Sequence, residues 1–127
     1  MSITKIGKTK GPPSPNIHLG AACPEMISVC LTAPDKSGGL TEQTRQILDI
    51  AERHLIDAGS AHDRLLMVQV WLADISGFAE FRDAWNAWID PDNVPALSVV
   101  EAQASRRDSL VEIRVYAAPS NQKSEET

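Results

Sequence analysis

Leu110-Val111-Glu112-Ile113-Arg114-Val115 alternates apolar and charged side chains, and this alternation decides the fold. Successive side chains on a strand point to opposite faces, so Val111, Ile113 and Val115 share one face while Glu112, Arg114 and then Tyr116 share the other. The apolar face needs a cover, and the other face carries groups that water or a partner can satisfy. Just upstream, Pro95-Ala96-Leu97-Ser98-Val99-Val100-Glu101 reads as a second strand, linked to the first by the polar turn Ser105-Arg106-Arg107-Asp108. This pair is the expected centre of the molecule and one wall of any site.

Two helices are expected to supply the cover. Leu40, Ile47, Leu48, Ala51, Leu55 and Ala58 recur at three- and four-residue steps, which places them on one face of a helix of about four to five turns, with Thr41 as its N-cap and Gly59 as its left-handed terminator. Phe78, Phe81, Trp85, Trp88 and Ile89 form a wide apolar stripe on a second helix, capped by Ser76 and stopped at Asp90-Pro91. Between the helices, Leu65 to Asp74 reads as a strand with Leu66, Val68, Val70 and Leu72 on one face and Met67, Gln69 and Trp71 on the other. Near the start, Ile17-His18-Leu19 and Met26-Ile27-Ser28-Val29-Cys30-Leu31 suggest a hairpin, with Gly20 and Pro24 as turn formers and Ile3 to Ile6 as a short edge strand.

The result is one α+β domain over residues 1–127, a mixed β-sheet with both helices on one face. Residues 1–15 are loop-rich, and residues 119–127 read as a disordered tail. The uncovered face, with Glu112, Arg114 and Tyr116, has the character of an oligomer interface.

Composition narrows the function. A chain of 127 residues with 43% apolar residues is long enough for a single core. Its net charge of −5 disfavours a nucleic-acid partner, because such binding depends on Lys and Arg neutralising phosphates. Cys23 and Cys30 are too few for a disulfide framework, and no second Cys or His pair gives metal-ligand spacing. The expectation is no metal and no cofactor. With no apolar run near a membrane span and no signal-like opening, a cytoplasmic protein without membrane contact is expected.

Among possible chemical groups, Gly38-Gly39 before Thr41 reads as a turn and cap, not a phosphate cradle. His18, His54 and His62 are scattered and read as structural, as does Cys30 in mid-strand. Glu112 stands out. It lies mid-strand on the uncovered face, where partial burial disfavours a charged carboxylate and suits it to general acid–base work. The alternative is that Glu112 pairs with Arg114 or with a neighbouring subunit.

From about Met26 to Ala118 the chain resembles the Rid proteins, the reactive intermediate deaminases also called the YjgF or L-PSP endoribonuclease family. The resemblance rests on Thr41-Glu42-Gln43-Thr44-Arg45-Gln46, Ala58-Gly59-Ser60, Val70-Trp71-Leu72-Ala73-Asp74, Pro95-Ala96 with Glu101, and Leu110-Val111-Glu112-Ile113. It implies a chorismate-mutase-like fold, a homotrimer, and a small-molecule cleft at each subunit interface. In active members it implies hydrolysis of enamines or imines to a keto acid and ammonia. Glu112 then matches the residue that positions the attacking water, and Cys30, Leu31, Thr32, Leu97, Val99 and Arg114 match or adjoin the cleft. Leu97 stands where the family has a carboxylate-binding Arg, and Cys30-Leu31-Thr32 where it has Ser-Gly-Gln. Arg82 replaces an Asn, and Arg114 replaces an acidic residue. The resemblance thus implies a divergent member without the standard 2-imino acid deaminase activity, either an altered imine hydrolase or a non-catalytic ligand-binding or interaction protein. Which of Arg82, Arg106, Arg107 and Arg114 replaces the missing cation is open at this level.

Overall fold

A computed structural model of the chain describes residues 2–8 and 15–120. The Pro12-Pro13-Ser14 part of the opening and residues 121–127 of the expected tail lie outside the described residues. The described part of the tail is tied down. Arg64 donates to the Pro119 carbonyl at 2.9 Å, and the Ser120 N–H donates to the Gly59 carbonyl at 2.7 Å.

Among the described residues, six strands and two α-helices follow in the order β1 (Thr4–Lys8), β2 (His18–Cys23), β3 (Met26–Thr32), α1 (Leu40–Asp57), β4 (Leu65–Leu72), α2 (Phe78–Trp88), β5 (Ala96–Glu101) and β6 (Val111–Ala117). They form one sheet in the order β1-β2-β3-β6-β4-β5, antiparallel except for the β4–β5 pair. β6 is therefore central, as its alternation requires. β5 is an edge strand and does not touch it, because the crossover through α2 returns β5 parallel to β4, on the side of β4 away from β6. The two closing strands are neighbours in sequence but not in the sheet.

The alternation of β6 is realised without exception. Val111, Ile113, Val115 and Ala117 are at most 1% exposed, whereas Glu112, Arg114 and Tyr116 are half-buried on the other face. The inward set packs with Ile47, Leu48, Ala51 and Leu55 of α1 and with Phe81 and Trp85 of α2 in one core.

Four local expectations are revised. On β4, Leu65 is buried and Leu66 is 50% exposed, because a bulge between Leu65 and Met67 shifts the strand's phase before Val68, Val70 and Leu72 turn inward. Gly20 is not a turn residue but sits inside β2 opposite Val29, where a Cβ would lie 2.2 Å from the Ser28 carbonyl oxygen. The hairpin turns instead at Pro24-Glu25. Gly39, not Thr41, caps α1. Thr41 binds α1 to α2, its N–H and hydroxyl both donating to the Glu80 carboxylate at 3.1 and 2.8 Å. Finally, Ser76 lies in a short 3₁₀ turn before α2 and Phe78 is 42% exposed. There the cap is Asp74, which accepts from the Ser76 N–H at 2.9 Å. Gly59 has the expected left-handed backbone, with φ of 90°.

Candidate functional site

On the uncovered face, strand register fixes which side chains are neighbours. Glu112 is flanked by Thr32 of β3 and Trp71 of β4, and Arg114 by Cys30 and Gln69. Cys30 reaches diagonally across this lattice and donates its thiol hydrogen to Glu112 Oε2 at 3.2 Å. No other described residue donates a hydrogen bond to this carboxylate. Arg114 lies over the Trp71 ring, 5.5 Å from its centroid, and donates a long hydrogen bond of 3.5 Å to the Tyr116 hydroxyl. The Tyr116 bond comes first among the contacts that hold Arg114 above its ordinary pKa, so it is a fixed positive charge.

Cys30 is pushed up to about 11, first by burial and then by its hydrogen bond to the Glu112 carboxylate and that carboxylate's charge. Near neutral pH it is a protonated donor, and a thiolate nucleophile is disfavoured. Its role is to occupy one oxygen of Glu112.

A cavity of about 590 Å³ opens over these groups. Cys30, Thr32, Glu112 and Arg114 form its floor, His18 and Leu19 of β2 one side, and Lys36 and Arg106 its loop wall. Leu31 reaches its border, but only 6% of its surface is exposed and it belongs to the helix-side core. Leu97 and Val99 are elsewhere. They register with Val68 and Val70, the inward pair of β4, and so lie on the opposite side of the sheet from Glu112 of the same chain.

Of the four arginines left open by the sequence, Arg106 and Arg114 line the cavity. Arg82 is exposed on α2 and pairs with Asp83 at 3.2 Å, and Arg107 lines a separate hollow of the loop before β6. Lys36 was not foreseen. Its ammonium donates to the Ala33 carbonyl, and its pKa is lowered, first by burial and then by the charge of Arg106.

Gln43 was missed as well. Although it is on a helix, it is 1% exposed and joins the two loops that carry these cations. Its Nε2 donates to the Gly38 and Asp108 carbonyls at 3.1 and 3.2 Å, and its Oε1 accepts from the Leu110 N–H at 3.0 Å. Its position beside Thr44 and ahead of Ile47 and Leu48, on the apolar side of α1, was the available signal.

Of the histidines, His62 contacts the Glu52 carboxylate and packs on Trp88 with ring centroids 5.0 Å apart, far from the cavity in the fold. Among the described residues no group of three His, Cys, Asp or Glu side chains is placed to hold a metal ion. No helix among them is long and apolar enough to cross a membrane.

The sequence profile of the family described as Endoribonuclease L-PSP matches residues 31–119. A RutC family protein of Haemophilus ducreyi is 32% identical over 88 residues, covering 69% of this chain and 75% of that protein. The RutC family protein YoaB of Escherichia coli is 32% identical over 77 residues, covering 61% and 68%. Among solved structures, a member of the YjgF protein family from Neisseria meningitidis is 26% identical with a TM-score of 0.84 over 95% of this chain and 98% of that one.

Proposed function

Because this chain belongs to the endoribonuclease L-PSP family, also called YjgF or Rid, we propose that it assembles as a homotrimer and hydrolyses a small imine or enamine at clefts between its copies, with Glu112 activating the water. The observation that carries this reading is the half-buried Glu112, which lines the cavity and accepts the Cys30 thiol hydrogen on Oε2. In the reaction Oε1 accepts a proton from water as the water oxygen bonds to the imine carbon. The same carboxyl returns that proton to nitrogen to give a carbinolamine, then carries the hydroxyl proton to nitrogen as the C–N bond breaks, so that both water protons leave in ammonia and a carbonyl product remains; an enamine first takes a proton at carbon to become the imine. Arg114 beside it provides the positive charge on which an anionic ligand group can rest.

Assembly is supported by the uncovered face. Met67 and Val100 are 38% and 46% exposed there. Leu97 and Glu112 of one chain lie on opposite sides of the sheet, so a cleft with both on its walls forms only between copies. The missing Arg at Leu97 removes charge-assisted bonds of about 1.5–3 kcal/mol each and argues against the family's simple 2-imino acids as substrates. The ribonuclease activity in the family's name is disfavoured by the net charge of −5.

The test is ammonia release from a panel of enzymatically generated imines, 2-aminoacrylate included, by wild type and Glu112→Ala, with the mass of the assembly measured by light scattering. Three copies per particle, slow turnover of 2-aminoacrylate and faster, Glu112-dependent turnover of another imine are expected. A monomer, or no Glu112-dependent turnover anywhere in the panel, would leave a non-catalytic binding protein as the better account.

A further inference from the structure

Glu112 and Arg114 carry opposite charges two residues apart on one face of β6, about 6.6 Å along the strand, and both side chains are long enough to meet. A carboxylate and a guanidinium so placed tend to pair, and the pair would occupy both the base and the cation that the proposed reaction uses. They do not pair with each other. Glu112 accepts from the Cys30 thiol at 3.2 Å, while Arg114 turns to the Tyr116 hydroxyl at 3.5 Å and lies over the Trp71 ring, 5.5 Å from its centroid.

Cys30 stands between the two charges. On β3 it is directly opposite Arg114, with Thr32 opposite Glu112, so the thiol reaches Glu112 on the diagonal and has one charge on either side. The electrostatics agree with this placement. Burial first, and then the hydrogen bond to Glu112 and its charge, raise the thiol pKa to about 11, while Arg114 acts against them. Near neutral pH the thiol is therefore an uncharged, weak donor, which holds the carboxylate without neutralising it. A basic side chain at this position would quench Glu112, and a smaller apolar one would leave the gap open.

Resting on the proposed function, we infer that Cys30 is a positioning residue, a neutral spacer that keeps Glu112 and Arg114 from closing into an ion pair. The carboxylate is thereby left to the attacking water and the guanidinium to an anionic group of the ligand. Cys30 makes no bond to the substrate and acts only through these two side chains.

The experiment uses full-length Cys30→Ala, Cys30→Ser and Cys30→Ala/Arg114→Gln, assayed for kcat and KM on the imine that wild type hydrolyses fastest, together with a crystal structure of Cys30→Ala. Removing the spacer is expected to bring the two charged groups within about 4 Å of each other. It is also expected to lower kcat about tenfold or more, roughly the weight of one charge-assisted hydrogen bond that must break before the base can act. Cys30→Ser keeps a small neutral donor in the gap and is expected to recover most of that loss. The double variant has no guanidinium to hold the carboxylate, so its kcat is expected to rise above that of Cys30→Ala while KM stays raised. Lost packing alone gives no such rescue. Groups still apart in Cys30→Ala, a wild-type kcat in that variant, or a kcat loss undiminished in the double variant would overturn the spacer. If no imine shows Glu112-dependent turnover, the catalytic reading fails by itself and the crystal structure still decides the spacer: an ion pair in Cys30→Ala upholds it, and separated groups refute it.

Discussion

The two faces of β6 are made by the same seven residues and have opposite physical tasks. Val111, Ile113, Val115 and Ala117 face two helices and are sealed from water, while Glu112, Arg114 and Tyr116 face no helix and are half-buried. On the sealed face the hydrophobic effect sets the energy, and each side chain is replaceable by another of similar volume. On the other face identity matters, because a carboxylate, a thiol and a guanidinium each have chemistry no isostere repeats. Placing the site on the back of the core strand fixes its floor as firmly as the core itself.

The largest break in this comparison comes from the sealed face. Ile113→Ala removes a fully buried side chain from the core and is expected to cost about 2–5 kcal/mol in chemical denaturation, with turnover of the remaining folded protein unchanged. A smaller break lies at the joint between the faces. Gln43→Ala removes the side-chain partner of the Leu110 N–H and of the Gly38 and Asp108 carbonyls and is expected to cost about 1–3 kcal/mol in chemical denaturation, loosening the join between the loops at 33–39 and 102–110.

The smallest effect belongs to Cys30 and shows in pH dependence. Its folded pKa of about 11 lies above the ordinary value of 9.0, so the folded state holds the thiol proton more tightly. The stability this provides is complete below pH 9.0 and is lost as pH rises toward about 11. Cys30→Ala should flatten that alkaline part of a stability–pH profile and change little near neutrality. In wild type the thiol should react slowly with a disulfide reagent until the pH is strongly alkaline.

Much of this was legible in the sequence because it is local. The period of two in β6 gave both faces, and the three- and four-residue spacing of Ile47, Leu48, Ala51 and Leu55 gave α1 and its buried side. The bulge at Leu66 was not legible, since one inserted residue reverses the phase of a strand without leaving a mark in composition. Nor was the separation of β5 from β6, which depends on where the crossover through α2 returns. Within the cavity, Glu112 and Arg114 followed from alternation and Cys30 from the family resemblance, whereas Lys36 and Arg106 sit in loops whose approach is fixed by Gln43 across 67 sequence positions, counted to Leu110. Leu31 shows the reverse case. It borders the expected cleft by sequence, yet alternation along β3 sends its side chain into the core.

The central claim is that adjacent residues of one strand divide the labour, Ile113 for stability and Glu112 for chemistry. The most direct measurement is the kcat of Glu112→Gln on whichever imine the wild type hydrolyses fastest, with Ile113→Val assayed in parallel. Glu112→Gln keeps the shape of the side chain and an oxygen for Cys30, so the account predicts a loss of about 100-fold or more in kcat with a nearly unchanged melting temperature. Ile113→Val should lose about 0.5–1.5 kcal/mol of stability at an unchanged kcat. A Glu112→Gln variant that turns over as fast as wild type would contradict the account.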